Sequence, residues 1–185
     1  MTDFIACTPE HHADAILAIL NEAIVTSTAL YDYQPRTADS MAAWFAAKAA
    51  GHFPVIGAVD EAGTLLGFAS YGPFRAFPAY KYTVEHSIYV HREHRGRGLG
   101  WALLERLIEA ARGQDVHVLV GVIDMANTGS IALHEQLGFT HSGTQDEWER
   151  GTPTFAPITT ANSGTMCWKT DLDNTYNINS SQDLF

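Results

Sequence analysis

The ten residues from His91 to Gly100 read HREHRGRGLG, with three arginines and three glycines. Glycine lets the main chain turn where side chains forbid it and lets a ligand approach closely. Arginine adds charge-assisted hydrogen bonds to an anion. The run WALLERLIEAAR follows at once, with Leu103, Leu104, Leu107, Ile108 and Ala111 at helical spacing and Gly113 past its end. The first turn of such a helix carries unpaired N–H groups and the positive end of the helix dipole. A Gly/Arg loop opening a helix is therefore an anion site, best suited to phosphate or pyrophosphate.

The spacing argues against two common nucleotide loops. A Walker loop needs Lys and a hydroxyl after its last glycine, and neither follows Gly100. A dinucleotide fingerprint needs G-x-G-x-x-G, whereas Gly96, Gly98 and Gly100 run G-x-G-x-G, with Leu103 where the last small residue belongs. Taken alone, the stretch also fits a solvated basic loop or an RNA-binding tract. The rest of the chain narrows this. Its 21 Asp and Glu outnumber 11 Lys and Arg, for a net charge of −10. That balance argues against broad nucleic-acid binding and against a basic membrane surface. No run approaches the ~20 apolar residues that span a bilayer, and the N-terminus lacks the pattern of a signal peptide. Cys7 and Cys167 make no disulfide framework, which points to a reducing, cytoplasmic setting. No His/Cys/Asp spacing suggests a metal site.

At 185 residues one domain spanning 1–185 is expected, long enough for its own core. FIAC reads as a short strand. TPEHHADAILAILNEAI reads as a helix with Thr8 as cap and Pro9 in its first turn. SMAAWFAAKAA reads as a second helix, ended by Gly51. FPVIGAVD and TLLGFASYG are strands joined by a turn. PFRAFPAYKY, rich in proline and aromatics, reads as a loop beside a cavity. VEHSIYV alternates: Val84, His86, Ile88 and Val90 share one face, Glu85, Ser87 and Tyr89 the other. HVLVGVI is a continuous apolar strand, expected to be covered on both faces. NTGSIALHEQLGF is a short helix with Ser130 or Thr128 as cap. From Gln145 the periodicity weakens, and only TMCWKTDL looks like a strand.

Arg95-Gly96-Arg97-Gly98-Leu99-Gly100 matches the R/Q-x-x-G-x-G/A acetyl-CoA motif of the GNAT N-acetyltransferases, after a strand and opening a helix. NEAIVTSTALYDYQPRTADSMAAWF, FPVIGAV, LLGFASYGPFRAFPAYKYTVEHSIYVHREHRGRGLG, HVLVGVID and SIALHEQLGF resemble the phosphinothricin/methionine sulfoximine acetyltransferase branch of that family. The similarity runs from about residue 10 to Thr144. It implies an α/β fold whose central mixed, mostly antiparallel sheet has splayed middle strands flanked by helices. It implies acetyl-CoA as co-substrate, with no metal. Ile88, Tyr89 and Val90 would pair with pantetheine through the main chain. Arg95, Gly96, Arg97, Gly98, Leu99 and Gly100 would hold the pyrophosphate, and Asn127 would meet the cleft.

The same resemblance implies the chemistry. A primary amine attacks the thioester directly. Glu85 stands where this branch keeps the base that deprotonates the amine, through water. An N–H near Val90 stabilises the developing oxyanion. His134 lies seven residues past Asn127, where many relatives carry the tyrosine that protonates the thiolate, and is the candidate acid. The branch acetylates small amino-acid-like amines bearing a free carboxylate. Arg75 is placed to pair that carboxylate, with Phe74, Phe77, Tyr80 and Tyr31 as an apolar wall. His86, on the face opposite Glu85, is read as a structural histidine. A homodimer is also implied.

The pattern of the branch ends near Gln145. TMCWKTDL is the candidate for its closing strand, but residues 145–185 are atypical. They build a different pocket or dimer contact, or they cost the sheet part of its edge. Two other functions stay open: a polyamine or protein N-terminal acetyltransferase, and a CoA-binding module with impaired catalysis.

Overall fold

A computed structural model of the chain describes residues 1–27, 30, 32, 34–145 and 165–172. The elements in order are β1 (Asp3–Ala6), α1 (Pro9–Thr26), α2 (Ala38–Ala50), β2 (Val55–Val59), β3 (Leu65–Pro73), β4 (Thr83–Val90), α3 (Leu99–Arg112), β5 (Val118–Asp124), α4 (Thr128–Gln136), β6 (Thr140–Gln145) and β7 (Thr165–Asp171). Short 3-10 turns lie at Pro78–Tyr80 and Arg92–His94. One seven-stranded sheet has the order β1-β2-β3-β4-β5-β7-β6. β4 and β5 run parallel, and the remaining neighbours run antiparallel.

Helices cover both faces of this sheet. The apolar stripe of α3 puts Leu103, Leu104 and Leu107 into one core with Val84, Leu119 and Ile123. On the other face, Ile16, Ile19 and Leu20 of α1 and Met41 and Phe45 of α2 pack on Val55, Val59 and Phe68. β3 lies between the two layers, and its first seven residues are buried. β4 alternates as expected: Ile88 and Val90 join the α3 core, while Tyr89 joins the α1/α2 core.

The feature that shapes the site is a fork. The β4–β5 ladder holds Thr83–Val118, Val84–Leu119 and Glu85–Val120, and then stops. Beyond it β4 stays on β3 as far as Gly67–Val90, while β5 follows β7 from Val118–Asp171 to Asp124–Thr165. The expected splay of the middle strands is present.

Four details differ from the sequence reading. HVLVGVI is not covered on both faces along its length: Val122 is 38% exposed. THSGTQ forms β6, an edge strand with no apolar alternation to announce it. Thr8 sits at the α1 cap position without a side-chain cap bond; instead its N–H donates to His12 Nδ1 at 3.1 Å. The α4 cap is Asn127, whose Oδ1 accepts the Ser130 N–H at 3.1 Å. TMCWKTDL does form a strand, and as β7 it lies inside the sheet between β5 and β6. Among the described residues, no helix is long and apolar enough to cross a membrane.

Leu104 is fully buried where α3 meets the sheet. Leu104→Ala should destabilise the chain by about 3 kcal/mol in urea unfolding, the usual cost of an uncollapsed leucine cavity.

Candidate active site

Two glycines make the anion cradle. Gly96 and Gly98 have φ of 74° and 77°, and Gly98 is the left-handed cap from which α3 starts. A Cβ at either would meet no atom. The requirement is therefore conformational, since the left-handed region is costly for L side chains. α3 has no acidic residue in its first turn, so nothing there opposes an anion at its positive end. Gly100 serves packing instead: a Cβ there would stand 3.2 Å from Leu133 Cδ1 of α4.

The arginines divide their work. Arg97 is exposed, with Nη1 3.4 Å from His94 Nδ1. Arg95 turns inward. Its Nε donates to Val90 O at 3.0 Å, and its Nη2 donates to Glu22 Oε2 at 2.6 Å. It braces the loop against α1 and the end of β4 with its own charge already paired.

The open edge of β4 follows from strand alternation. Thr83 O accepts from Phe74 N, and His91 N donates to Leu66 O, so odd-numbered positions face β3. The main-chain groups of Ile88 and Val90 therefore point into the fork. Those of Tyr89, expected to share this role, point to β3. An extended ligand arm laid in the fork would find N–H and C=O partners at Ile88 and Val90. Together with the cradle, this geometry fits a pantetheine-linked pyrophosphate.

On the opposite face lies Glu85, the last paired residue before the fork. It is half-buried, and burial raises its carboxyl pKa while the Arg75 charge pulls it down. Arg75, from the loop after β3, thus lies within electrostatic range of Glu85; its guanidinium lies 5.2 Å from the Phe74 ring. Phe74 and Tyr80 meet edge to face at 5.9 Å. Phe77 is 69% and Tyr80 42% exposed, so they stand on a rim rather than in a closed wall. Tyr31 lies outside the described residues.

Sequence reading missed two cations on this face. Arg36, bound to Asp32 at 2.8 Å, lines a hollow of about 450 Å³ with Ser40 and Trp44. The charges of Arg36 and Asp32 act on the hydroxyl of Tyr89, the neighbour of Glu85 on that face. Lys48 donates to Tyr71 O at 2.7 Å, and burial brings its pKa down to about 8. No local motif marks either residue.

His134 is buried on the α3 side, 3% exposed. Its Nδ1 lies 2.6 Å from Ser130 O, and its Nε2 lies 3.2 Å from His86 Nε2. The expected proton donor to a thiolate thus has both ring nitrogens engaged within the protein. Asn127 likewise spends its side-chain oxygen on the α4 cap. Among the described residues, no cluster of three or more His, Cys, Asp or Glu could hold a metal.

A strand that forks at a half-buried carboxylate, beside a glycine cradle opening a helix, defines a GNAT-type acyltransferase cleft. The acetyltransferase (GNAT) family model matches residues 16–139. The chain is 48% identical over 128 residues to an L-methionine sulfoximine/L-methionine sulfone acetyltransferase of Pseudomonas paraeruginosa, covering 69% of this chain and 74% of that one. It is 35% identical over 132 residues to a phosphinothricin N-acetyltransferase of Streptomyces viridochromogenes, covering 70% of each. Its fold superposes with a TM-score of 0.80 on a GNAT superfamily phosphinothricin acetyltransferase of Sinorhizobium meliloti solved with acetyl-CoA, at 28% identity and covering 92% of this chain and 88% of that one. The chain belongs to the GNAT family and is an acetyl-CoA-dependent N-acetyltransferase.

The buried histidines give the stability a pH signature. Burial drives the His86 pKa down to about 3, helped by the neighbouring His134, whose own pKa is also lowered by burial. Across the fork β5 presents Gly121, and on β3 the facing Tyr71 keeps its hydroxyl on Gln114 Oε1 at 2.7 Å. With an ordinary value of 6.5, an unfolded His86 binds a proton between pH 6.5 and 3 that the folded one refuses. Stability should therefore be full above about pH 6.5 and fall toward pH 3, by on the order of 1 kcal/mol per pH unit. Thermal unfolding across that range should show a shallower fall in His86→Leu.

Proposed function

We propose that this enzyme acetylates the primary amine of a small amino-acid-like substrate of the methionine sulfoximine and phosphinothricin kind. The observation that carries this is a half-buried Glu85 where β4 and β5 part, its pKa raised by burial and opposed by the charge of Arg75. Acetyl-CoA supplies the activated acyl group, and the residues of this chain orient it and move protons. Gly96, Gly98, Leu99 and Gly100 offer main-chain N–H groups to the pyrophosphate, with Arg97 adding charge. Ile88 and Val90 hold the arm, and the Val90 N–H faces the developing oxyanion.

The amine arrives as ammonium, and Glu85 takes its proton through water. The nitrogen then bonds to the acyl carbon, the oxyanion collapses with cleavage of the carbon–sulfur bond, and the nitrogen gives up its second proton to solvent. The thiolate leaves and is protonated. His134 offers no N–H for that step while its one hydrogen goes to Ser130 O, so the proton comes from solvent in this reading. Arg75 takes the substrate carboxylate, beside Phe74, Tyr80, Phe77 and Tyr31. A polyamine substrate fits less well, because Arg75 and Arg36 repel it. We further propose a cytoplasmic homodimer of single-domain chains, in which a second copy covers the exposed Phe77 and Tyr80.

Thiol release from acetyl-CoA should occur with methionine sulfoximine or phosphinothricin and not with spermine or a short peptide. A spermine or peptide preference overturns the assignment, and CoA binding without turnover on any amine favours the impaired module. Glu85→Gln should lower kcat by roughly 100-fold or more while KM for acetyl-CoA stays close to wild type. Arg75→Ala should raise KM for the amine more than for acetyl-CoA. His134→Phe should keep the pH profile of kcat; loss of one limb would restore the acid role.

A further inference from the structure

His86 is a buried polar side chain for which the reaction has no use. Its ring and that of His134 stack at 5.0 Å and 15°. Phe139 meets both edge-on, at 5.4 and 4.9 Å. The carbonyl of Ser130 only accepts, so His134 Nδ1 carries a hydrogen and donates it. In the neutral ring His134 Nε2 is then an acceptor, and His86 Nε2 is its donor at 3.2 Å. Burial keeps both rings neutral. The hydrogen bonds therefore run in one direction, from β4 through His134 into the main chain of α4.

The position of this pair is specific. After Glu85–Val120 the next pair in register would set His86 opposite Gly121, and there the ladder stops. A Cβ on Gly121 would stand 2.7 Å from His86 Nε2 and 3.4 Å from His134 Cδ2. The stacked rings thus fill the room that Gly121 leaves at the crotch of the fork. α4 in turn touches the cradle, because Leu133 packs against Gly100 in the first turn of α3.

We propose that His86 is a positioning residue of the cofactor cleft: its hydrogen bond to His134 clasps β4 to α4 over Gly121, and so sets the opening of the fork and the stance of α4 against the cradle. The proposal rests on the acetyl-CoA reading of that cleft. It assigns His86 no proton transfer and no contact with substrate.

The test compares His86→Leu, which keeps bulk without a donor, with His86→Gln, whose amide N–H reaches toward His134, and with Gly121→Ala, which displaces the ring. Calorimetric CoA affinity is read beside KM for acetyl-CoA and for the amine. His86→Leu should weaken CoA binding and raise KM for acetyl-CoA about tenfold, with the amine KM within about twofold, the scale expected of a small misplacement. His86→Gln should recover most of the loss, and Gly121→Ala should reproduce it. Unchanged CoA affinity in His86→Leu, equal effects on both KM values, or a glutamine variant as weak as the leucine one overturns the clasp. If His86→Leu does not fold, a Gly121→Ala protein with normal CoA affinity overturns it alone. Failure of the wild-type protein to bind CoA instead overturns the cofactor reading on which the clasp stands.

Discussion

The structure depends on a ladder that stops. β4 and β5 share only Thr83–Val118, Val84–Leu119 and Glu85–Val120. Past that point each strand keeps an outer partner, β3 for one arm and β7 for the other. The sheet therefore parts without leaving either strand alone. What it leaves are main-chain donors and acceptors on the two inner edges, and such groups require partners. A ligand arm that fills the fork completes the sheet as much as it occupies a site.

The alternation of β4 then sorts the chemistry by face. Glu85, Ser87 and Tyr89 look toward α1 and α2, with Lys48 on α2, Arg36 just before it and Arg75 in the loop after β3. Val84, His86, Ile88 and Val90 look toward α3 and α4, where the imidazole pair is sealed from water. One strand thus separates a face with charged groups from a buried face whose polar groups are the stacked imidazoles. In a chain of net charge −10, the cations that matter are gathered around the acceptor face and the cradle. Several already hold carboxylates, Arg36 that of Asp32 and Arg95 that of Glu22. Those pairs fix geometry more than they add stability, since exposed ion pairs contribute little.

What the sequence revealed and what it hid follow from range. The cradle was legible because its glycines, the preceding strand and the amphipathic α3 are contiguous. The faces of β4 were legible because a period of two needs only seven residues. β6 was not, because an edge strand of Thr, His, Ser and Gly carries no apolar rhythm. Asn127 as a cap was available in the local N-x-x-S spacing, yet Ser130 and Thr128 were equally plausible hydroxyl caps. The contact of Arg95 with Glu22 spans 73 positions, and that of His86 with His134 spans 48. No local pattern encodes either, and none marks Lys48, which the fold sets on Tyr71 O, or Arg36, whose charge reaches Tyr89.

β7 is the last described strand to leave the ribosome and yet lies inside the sheet. Among the described residues, β7 is the strand that lies beside Gly121 to Asp124. Until Thr165–Asp171 has been made, the arm of β5 beyond the fork is an open edge on both sides, and β6 has no neighbour at all. A half-synthesised chain would thus hold a finished cradle and a finished α3 core next to two unpaired edges, the condition most prone to association with other chains.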